Sequence, residues 1–309
     1  MSRQIKLLDA QAALGFVLAQ TTYIERAVNQ IVYGDIQYPD LIPVDTSAPD
    51  WVKSVTFYSG DKFGVAQWLN GNADDVPRAG SEMTRFESNV YTAGIGYGYG
   101  LEEISQAQML GVPLQDMDAM AARRAYEEFV DNVALRGDSR KNLQGLINNS
   151  AVTAVTATTG NWATATAAQI IADFNNGLFP TFSGTLFTSL ADTVLLPFAR
   201  LQTLAQTQMP NTDMNVLAWL QKNNVYTQRT GQQLDIRGIY GLETAGAGST
   251  MRAVFYKKDP LVLKLHIPMP HRFLPVYQAS PLRWEVPGIF RLGGLDVRQP
   301  QNVRYLDGI

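Results

Sequence analysis

A chain of 309 residues with 46% hydrophobic and 17% charged side chains has apolar material for a substantial core, which excludes a disordered protein. Its net charge of −3 and the absence of any lysine or arginine run deny it the electrostatic footprint that grips nucleic acid. It has no cysteine, so disulfides and thiolate metal sites are ruled out, a composition that suits a reducing compartment.

Residues 1–50 open with "MSRQIKLLDAQAALGFVLAQ", an amphipathic helical pattern that mixes Arg3, Lys6 and Asp9 with leucines. Without a long apolar core or a clear cleavage site, it predicts neither a signal peptide nor a membrane span. Pro39, Pro43 and Pro49 then favour an extended, polyproline-like path. The segment reads as an arm with little core of its own.

From Trp51 the composition shifts to aromatic and β-branched residues, with a Gly-Asp turn signal at residues 60–61. "NGNADDVPRAG" is a polar, turn-rich tip, and "SEMTRFESNVYTAGIGYGYG" returns as a second extended run. The two legs predict a β-ribbon, which is marginal in water without a second layer. Trp51, Phe57, Tyr58, Phe63, Trp68, Phe86 and Tyr91 are a heavy aromatic load for such a ribbon, and another subunit is the natural cover.

Gly94, Gly96, Gly98 and Gly100 alternate at period two. The spacing fits neither a dinucleotide fingerprint nor a P-loop, and Glu102 and Glu103 would occupy the place of a phosphate. It predicts instead a strand with one bare face onto which backbone can press, with Ile95, Tyr97 and Tyr99 on the other. The two glutamates suit a first helical turn, and Gly111 with Pro113 separates that short helix from a long one over 114–136. Leu114, Met117, Ala121, Ala125, Phe129 and Val133 form its expected apolar stripe. Arg123 with Glu127, and Arg124 with Glu128, are i,i+4 pairs that read equally as a solvated face or as a contact surface.

"SAVTAVTATTGNWATATAAQ" is a low-complexity connector, flexible or β-like, and leads into a helix over 166–176 that ends near Gly177. "TVLLPFARLQTLAQ" predicts a short buried strand running into a helix with Pro197 in its first turn, and "NVLAWLQKNN" another short helix. Residues 225–309 read mostly as strands. Helices and strands mix without βαβ alternation, which predicts an α+β fold.

The chemistry-bearing residues are sparse. His266 and His271 stand in "LHIPMPHRFLP", where the prolines prevent one helix face from presenting both rings; they read as two partly exposed loop histidines, with a metal pair as the alternative. No thiol, zincin or G-x-S-x-G signature occurs. Carboxylates that could serve an unfamiliar enzyme are Glu102 with Glu103, and Asp235 with Glu243, but adjacent carboxylates on a helix diverge.

The order of parts resembles one family. "ADDVPRAG" at the ribbon tip, "YGYGLEEISQAQMLGVPL" entering the long helix and "RGDSRKNLQGLINN" leaving it are similar to the tailed-bacteriophage major capsid proteins. So are "TVLLPFARLQTL", "YKKDPLVLKLHIPMPHRFLPV" and "VPGIFRLGGLDVRQPQNVRYLDGI". These have the Hong Kong ninety-seven type fold, shared with encapsulins, and the likeness is to the branch first catalogued as a family of unknown function. It covers nearly the whole chain.

The resemblance implies an N-terminal arm at 1–50, an extended loop at 51–92 lying across a neighbouring subunit, and a peripheral domain at 93–149 with its spine helix at 114–136. An axial domain at 150–289 and a C-terminal strand at 290–309 returning to the peripheral domain complete the expectation. The implied function is structural: copies close through hexamers and pentamers into an icosahedral head around double-stranded DNA, bound without sequence specificity. The implied partners are the chain itself and portal, scaffolding and decoration proteins, with no membrane. The implied location is the virion, after assembly in the host bacterial cytoplasm. No enzyme activity, cofactor or metal is implied, and an encapsulin-like compartment is the alternative the fold leaves open. Within this reading Asp74, Asp75 and Arg78 at the tip meet charges on an adjacent subunit, with Arg123, Arg124, Glu127 and Glu128 as partners. Trp68 and Phe86 are further contact residues, and Gly94, Gly96, Gly98 and Gly100 tolerate bending.

Overall fold

The computed structural model describes residues 34–68, 76–110 and 114–309. Residues 36–309 form one compact unit. The helical pattern expected at the start of the arm, Asp74 and Asp75 of the tip, and the Gly111–Pro113 break lie outside the described residues.

The described arm is extended at Ile42 and over Val44–Asp45, but not at Pro39. Pro39 stands in the first turn of a short helix, α1 (Tyr38–Leu41), where its fixed φ and missing N–H are tolerated. Asp131 Oδ1 accepts hydrogen bonds from the Gln37 and Tyr38 amides at 2.9 and 2.8 Å, and Tyr38, Leu41 and Ile42 are buried. This part of the arm therefore contributes core. A two-residue strand, β1 (Val44–Asp45), follows.

Strands β2 (Ser54–Phe63) and β3 (Gly80–Asn89) form a two-stranded antiparallel sheet in register from Ser54↔Asn89 to Phe63↔Gly80. The turn expected at Gly60–Asp61 is mid-strand, with Gly60 opposite Met83, because continuous cross-strand pairing overrides the local turn signal. The glycine stretch is two strands rather than one, β4 (Tyr91–Gly94) and β5 (Tyr97–Gly100).

Helix α2 (Leu101–Leu110) precedes the long helix α3 (Leu114–Arg136), whose 23 residues span roughly 35 Å. Its buried face is not the expected stripe. Ala122, Tyr126, Val130, Val133 and Ala134 are buried, whereas Met117, Ala121 and Phe129 are exposed. Both sets recur at helical spacing, and periodicity alone does not choose between two apolar arcs.

Beyond α3, β6 (Gly137–Asp138) pairs with β7 (Leu143–Gln144), and β8 (Thr153–Thr156) begins the Ser/Thr/Ala segment. That segment is anchored rather than loose. Buried Asp173 accepts from the Thr158 and Thr159 amides and from Trp162 Nε1 at 3.2 Å, and Trp162 is fully enclosed. Asp173 belongs to α4 (Ala167–Gly184), which continues past Gly177. Gly177 is a packing position, since a Cβ there would lie 2.3 Å from the Phe255 ring.

The chain continues through β9 (Thr193–Pro197), α5 (Phe198–Gln206), α6 (Val216–Lys222), α7 (Val225–Thr230), β10 (Asp235–Ile239) and β11 (Arg252–Tyr256). Helix α7 lies in a stretch expected to be mostly strand. Strands β12 (Leu263–His266), β13 (Met269–Phe273), β14 (Tyr277–Ser280), β15 (Arg283–Val286), β16 (Gly288–Leu292), β17 (Gly294–Val297) and β18 (Val303–Asp307) complete it. The segment 290–309, expected as one returning strand, enters three sheets. β16 pairs with β4, β17 with β12, and β18 with β11 and β8. Gly294, with φ of +71°, and the turn around Pro300 make the breaks.

A five-stranded mixed sheet in the order β10-β9-β11-β18-β8 divides two cores. Strand alternation sends Leu195, Val254, Tyr256, Val303 and Tyr305 into the core that α3 covers. Val194, Leu196, Ala253, Phe255 and Leu306 face the core around Ile170, Phe174 and Leu178 of α4.

Candidate assembly surfaces

Beyond its half-buried root, the ribbon β2–β3 is exposed. Phe57 and Phe86, directly opposite each other, stack with ring centroids 5.1 Å apart, and the Arg298 guanidinium lies 4.8 Å from the Phe57 ring. Further out, Phe63 lies over Gly80, where a Cβ would be 2.3 Å from its ring. Tyr58, Phe63, Met83 and Phe86 remain exposed, and Trp68 is fully so. Exposed Arg78 makes no ion pair among the described residues. The ribbon is tied at its root: Val90 N donates to Lys53 O, Arg291 Nη1 to Asp50 O at 2.9 Å, and Arg272 pairs with Asp50 at 3.1 Å.

On α3 the four charged residues pair with each other. Arg123 lies 3.5 Å from Glu127, and Arg124 lies 2.8 Å from Glu128. Glu127 also accepts from Tyr38 Oη at 2.7 Å; burial, and then this bond, push the Tyr38 phenol above its ordinary range. The row thus presents charge outward and fixes the arm inward.

The glycine strands lie against backbone of the same chain. A Cβ on Gly94 would stand 2.7 Å from Gly288 O, one on Gly96 2.3 Å from Val286 O, and one on Gly98 2.9 Å from Trp284 O. Gly100 has room, its nearest neighbour being Leu282 O at 3.8 Å. Close approach therefore explains three of the four glycines.

The remaining carboxylates have local tasks. Glu103 accepts from the Gly100 amide at 3.0 Å, Asp235 pairs with Arg237 at 2.7 Å, and Glu243 accepts from the Gly241 amide at 2.7 Å. Both histidines are buried on strands, contrary to the loop expectation: His271 Nε2 lies 3.0 Å from Ile95 O, and its ring stacks on Tyr126. No group of three or more metal-ligating side chains occurs among the described residues. No helix there is long and apolar enough to cross a membrane.

Sequence reading missed the Arg252–Asp307 pair. Arg252 Nε and Nη2 donate to the two Asp307 oxygens at 2.6 and 2.9 Å, Nη1 donates to Ile147 O at 2.7 Å, and the guanidinium stacks 4.3 Å over the Tyr305 ring. No local spacing announces a pair 55 residues apart.

The chain is similar in structure to phage and particle capsids. The chain aligns with the capsid of Myoviridae phage XM1 at a TM-score of 0.80 and 17% identity, covering 94% of this chain and 98% of that one. The capsid of an empty GTA particle aligns at 0.63 and 10% identity, over 96% and 98% of the two chains. The Mycobacterium phage Bobi chain aligns at 0.61 and 10%, over 97% and 98%. No curated protein matches the sequence. The fold so defined is of the Hong Kong ninety-seven type. The model described as Major capsid protein matches residues 64–309, and the chain belongs to that family: it is a major capsid protein.

Proposed function

We propose that copies of this chain close through hexamers and pentamers around double-stranded DNA, each ribbon of 51–92 lying across a neighbouring subunit. One observation carries the reading: two ten-residue strands pair with no third strand among the described residues while leaving Tyr58, Phe63, Trp68 and Phe86 exposed. Residues 93–149 act as the peripheral domain, 150–289 as the axial domain, and 290–309 tie the two together through their three sheets. Arg78, with Asp74 and Asp75, supplies register against the charged row of α3, a role that suits exposed pairs better than affinity does. The protein's role is structural and not enzymatic. Portal, scaffolding and decoration proteins are its partners during assembly in the host cytoplasm.

A Phe63→Ser, Trp68→Ser double variant tests this. Its subunits are expected to keep the wild-type circular dichroism spectrum and urea midpoint while losing the fast-sedimenting particles seen by negative stain. Wild-type particle yield would overturn the proposed role of the ribbon. Nucleic-acid content of wild-type particles separates a genome container from an encapsulin-like compartment.

A further inference from the structure

His266 is 1% exposed, and neither of its ring nitrogens has a hydrogen-bond partner. Two carboxylates bracket it from the strands on either side of β12. Asp45 Oδ2, on β1, lies 3.8 Å from Nδ1, and Asp296 Oδ2, on β17, lies 3.6 Å from Nε2. The other charges facing the site are Lys264, 3.2 Å from Asp45, and Arg298, 3.3 Å from Asp296. Val90 and Gly293 close the remaining wall tightly: a Cβ on Gly293 would lie 3.1 Å from His266 Cβ and 3.3 Å from Val90 Cγ2.

A neutral imidazole has one donor and one acceptor nitrogen. Whichever nitrogen carries hydrogen, the other directs a lone pair at a carboxylate. Only the imidazolium offers a donor to each side, and a small closure of both gaps would make two charge-assisted hydrogen bonds.

We propose that His266 is a proton-binding positioning residue at the root of the ribbon, tying Asp45 of β1 to Asp296 of β17 when it carries its proton. The proposal goes beyond the ribbon's role between subunits and does not depend on it. β1 is only two residues long, and it leads from the buried Leu41–Ile42 anchor to the first ribbon leg at Ser54. The second leg runs into Val90 beside the same ring. Its backbone ties to β12 are Leu265 N to Pro43 O and Ile267 N to Asp45 O, at 2.9 and 3.0 Å. Loss of the proton therefore loosens residues 43–54 while the Tyr38–Ile42 anchor stays docked.

A histidine ordinarily changes charge between about pH 5 and 8. Asp45 stays ionised throughout that window, because the Ser47 hydroxyl, opposed by burial and helped by the Ser47 amide and Lys264, holds its carboxyl down to about 2. The tie is thus expected at the acid end of that window and its loss at the basic end.

Hydrogen exchange of the full chain, corrected for the intrinsic rate, reads the device at residues 43–54 and at the Ile267 amide. Protection in the wild type is expected to fall about tenfold from roughly pH 5.5 to 8. His266→Gln should abolish that dependence. Asp296→Asn should keep protection at the basic end, since its amide can donate to a neutral ring, and it carries the test if the glutamine variant does not fold. Wild-type protection that ignores pH, the same dependence in His266→Gln, or no high-pH rescue by Asp296→Asn would each overturn the proposal.

Discussion

Phe57 and Phe255 are both strand phenylalanines that meet another ring at 5.1–5.2 Å, yet Phe57 is half-buried and Phe255 wholly enclosed. The difference is a second layer. Phe255 is covered by α4, which approaches so closely that Gly177 has no room for a Cβ. Phe57 meets its cross-strand partner Phe86 and the tip of Arg298. The five-stranded sheet gains its stability inside the chain, whereas the ribbon leaves apolar surface exposed, which the proposed function assigns to another molecule.

The most severe way to break this contrast is at the sheet. Asp307→Ala leaves Arg252 buried without its counter-ion, and the disassembled subunit should lose about 3–5 kcal/mol in urea denaturation. A loss comparable to that of the ribbon variants would mean that the wall between the cores is no more demanding than the ribbon. At the junction of the two regions, Gly96→Val pushes a side chain into the backbone of 286–288 and should cost about 1–3 kcal/mol. Gly100→Ala, which has space, should stay within about 0.5 kcal/mol. Equal costs would remove close approach as the reason for the glycines. An assembly defect in Gly100→Ala without a stability loss would instead support the bending role. The smallest effect belongs to the surface of α3, where Arg123→Ala and Arg124→Ala should each cost the subunit about 0.3–0.5 kcal/mol. A much larger drop in the thermal stability of assembled shells would assign that row to intersubunit register.

Legibility followed the same division. The ribbon could be read because its signals are local: a turn-rich tip and two aromatic, β-branched legs. The limits of α3 were legible because Gly137 ends it, but its buried face was not. Met117 and Phe129 recur with the helical period as well as Tyr126 and Val130 do, and only tertiary packing selects between them. Gly60–Asp61 looked like a turn because composition carries no register. The Ser/Thr/Ala connector looked loose because its anchor, Asp173, lies on the following helix. Of the candidate residues, the exposure of Trp68 and Phe86 and the pairing of Arg123 with Glu127 and Arg124 with Glu128 were legible from position. Arg252, Asp307 and the setting of His266 depend on strands brought together from distant parts of the chain, and nothing in their neighbours announces that.

The sheet that separates the cores also sets a timetable. β18, residues 303–307, sits between β11 and β8 and gives Val303 and Tyr305 to one core and Leu306 to the other. Until those residues leave the ribosome, both halves of the protein are open along the same seam, although the ribbon was synthesised some 200 residues earlier. A chain interrupted before β18 would carry the exposed ribbon with no finished body behind it. Placing the keystone after the ribbon makes synthesis through β18 a condition for a sound building block.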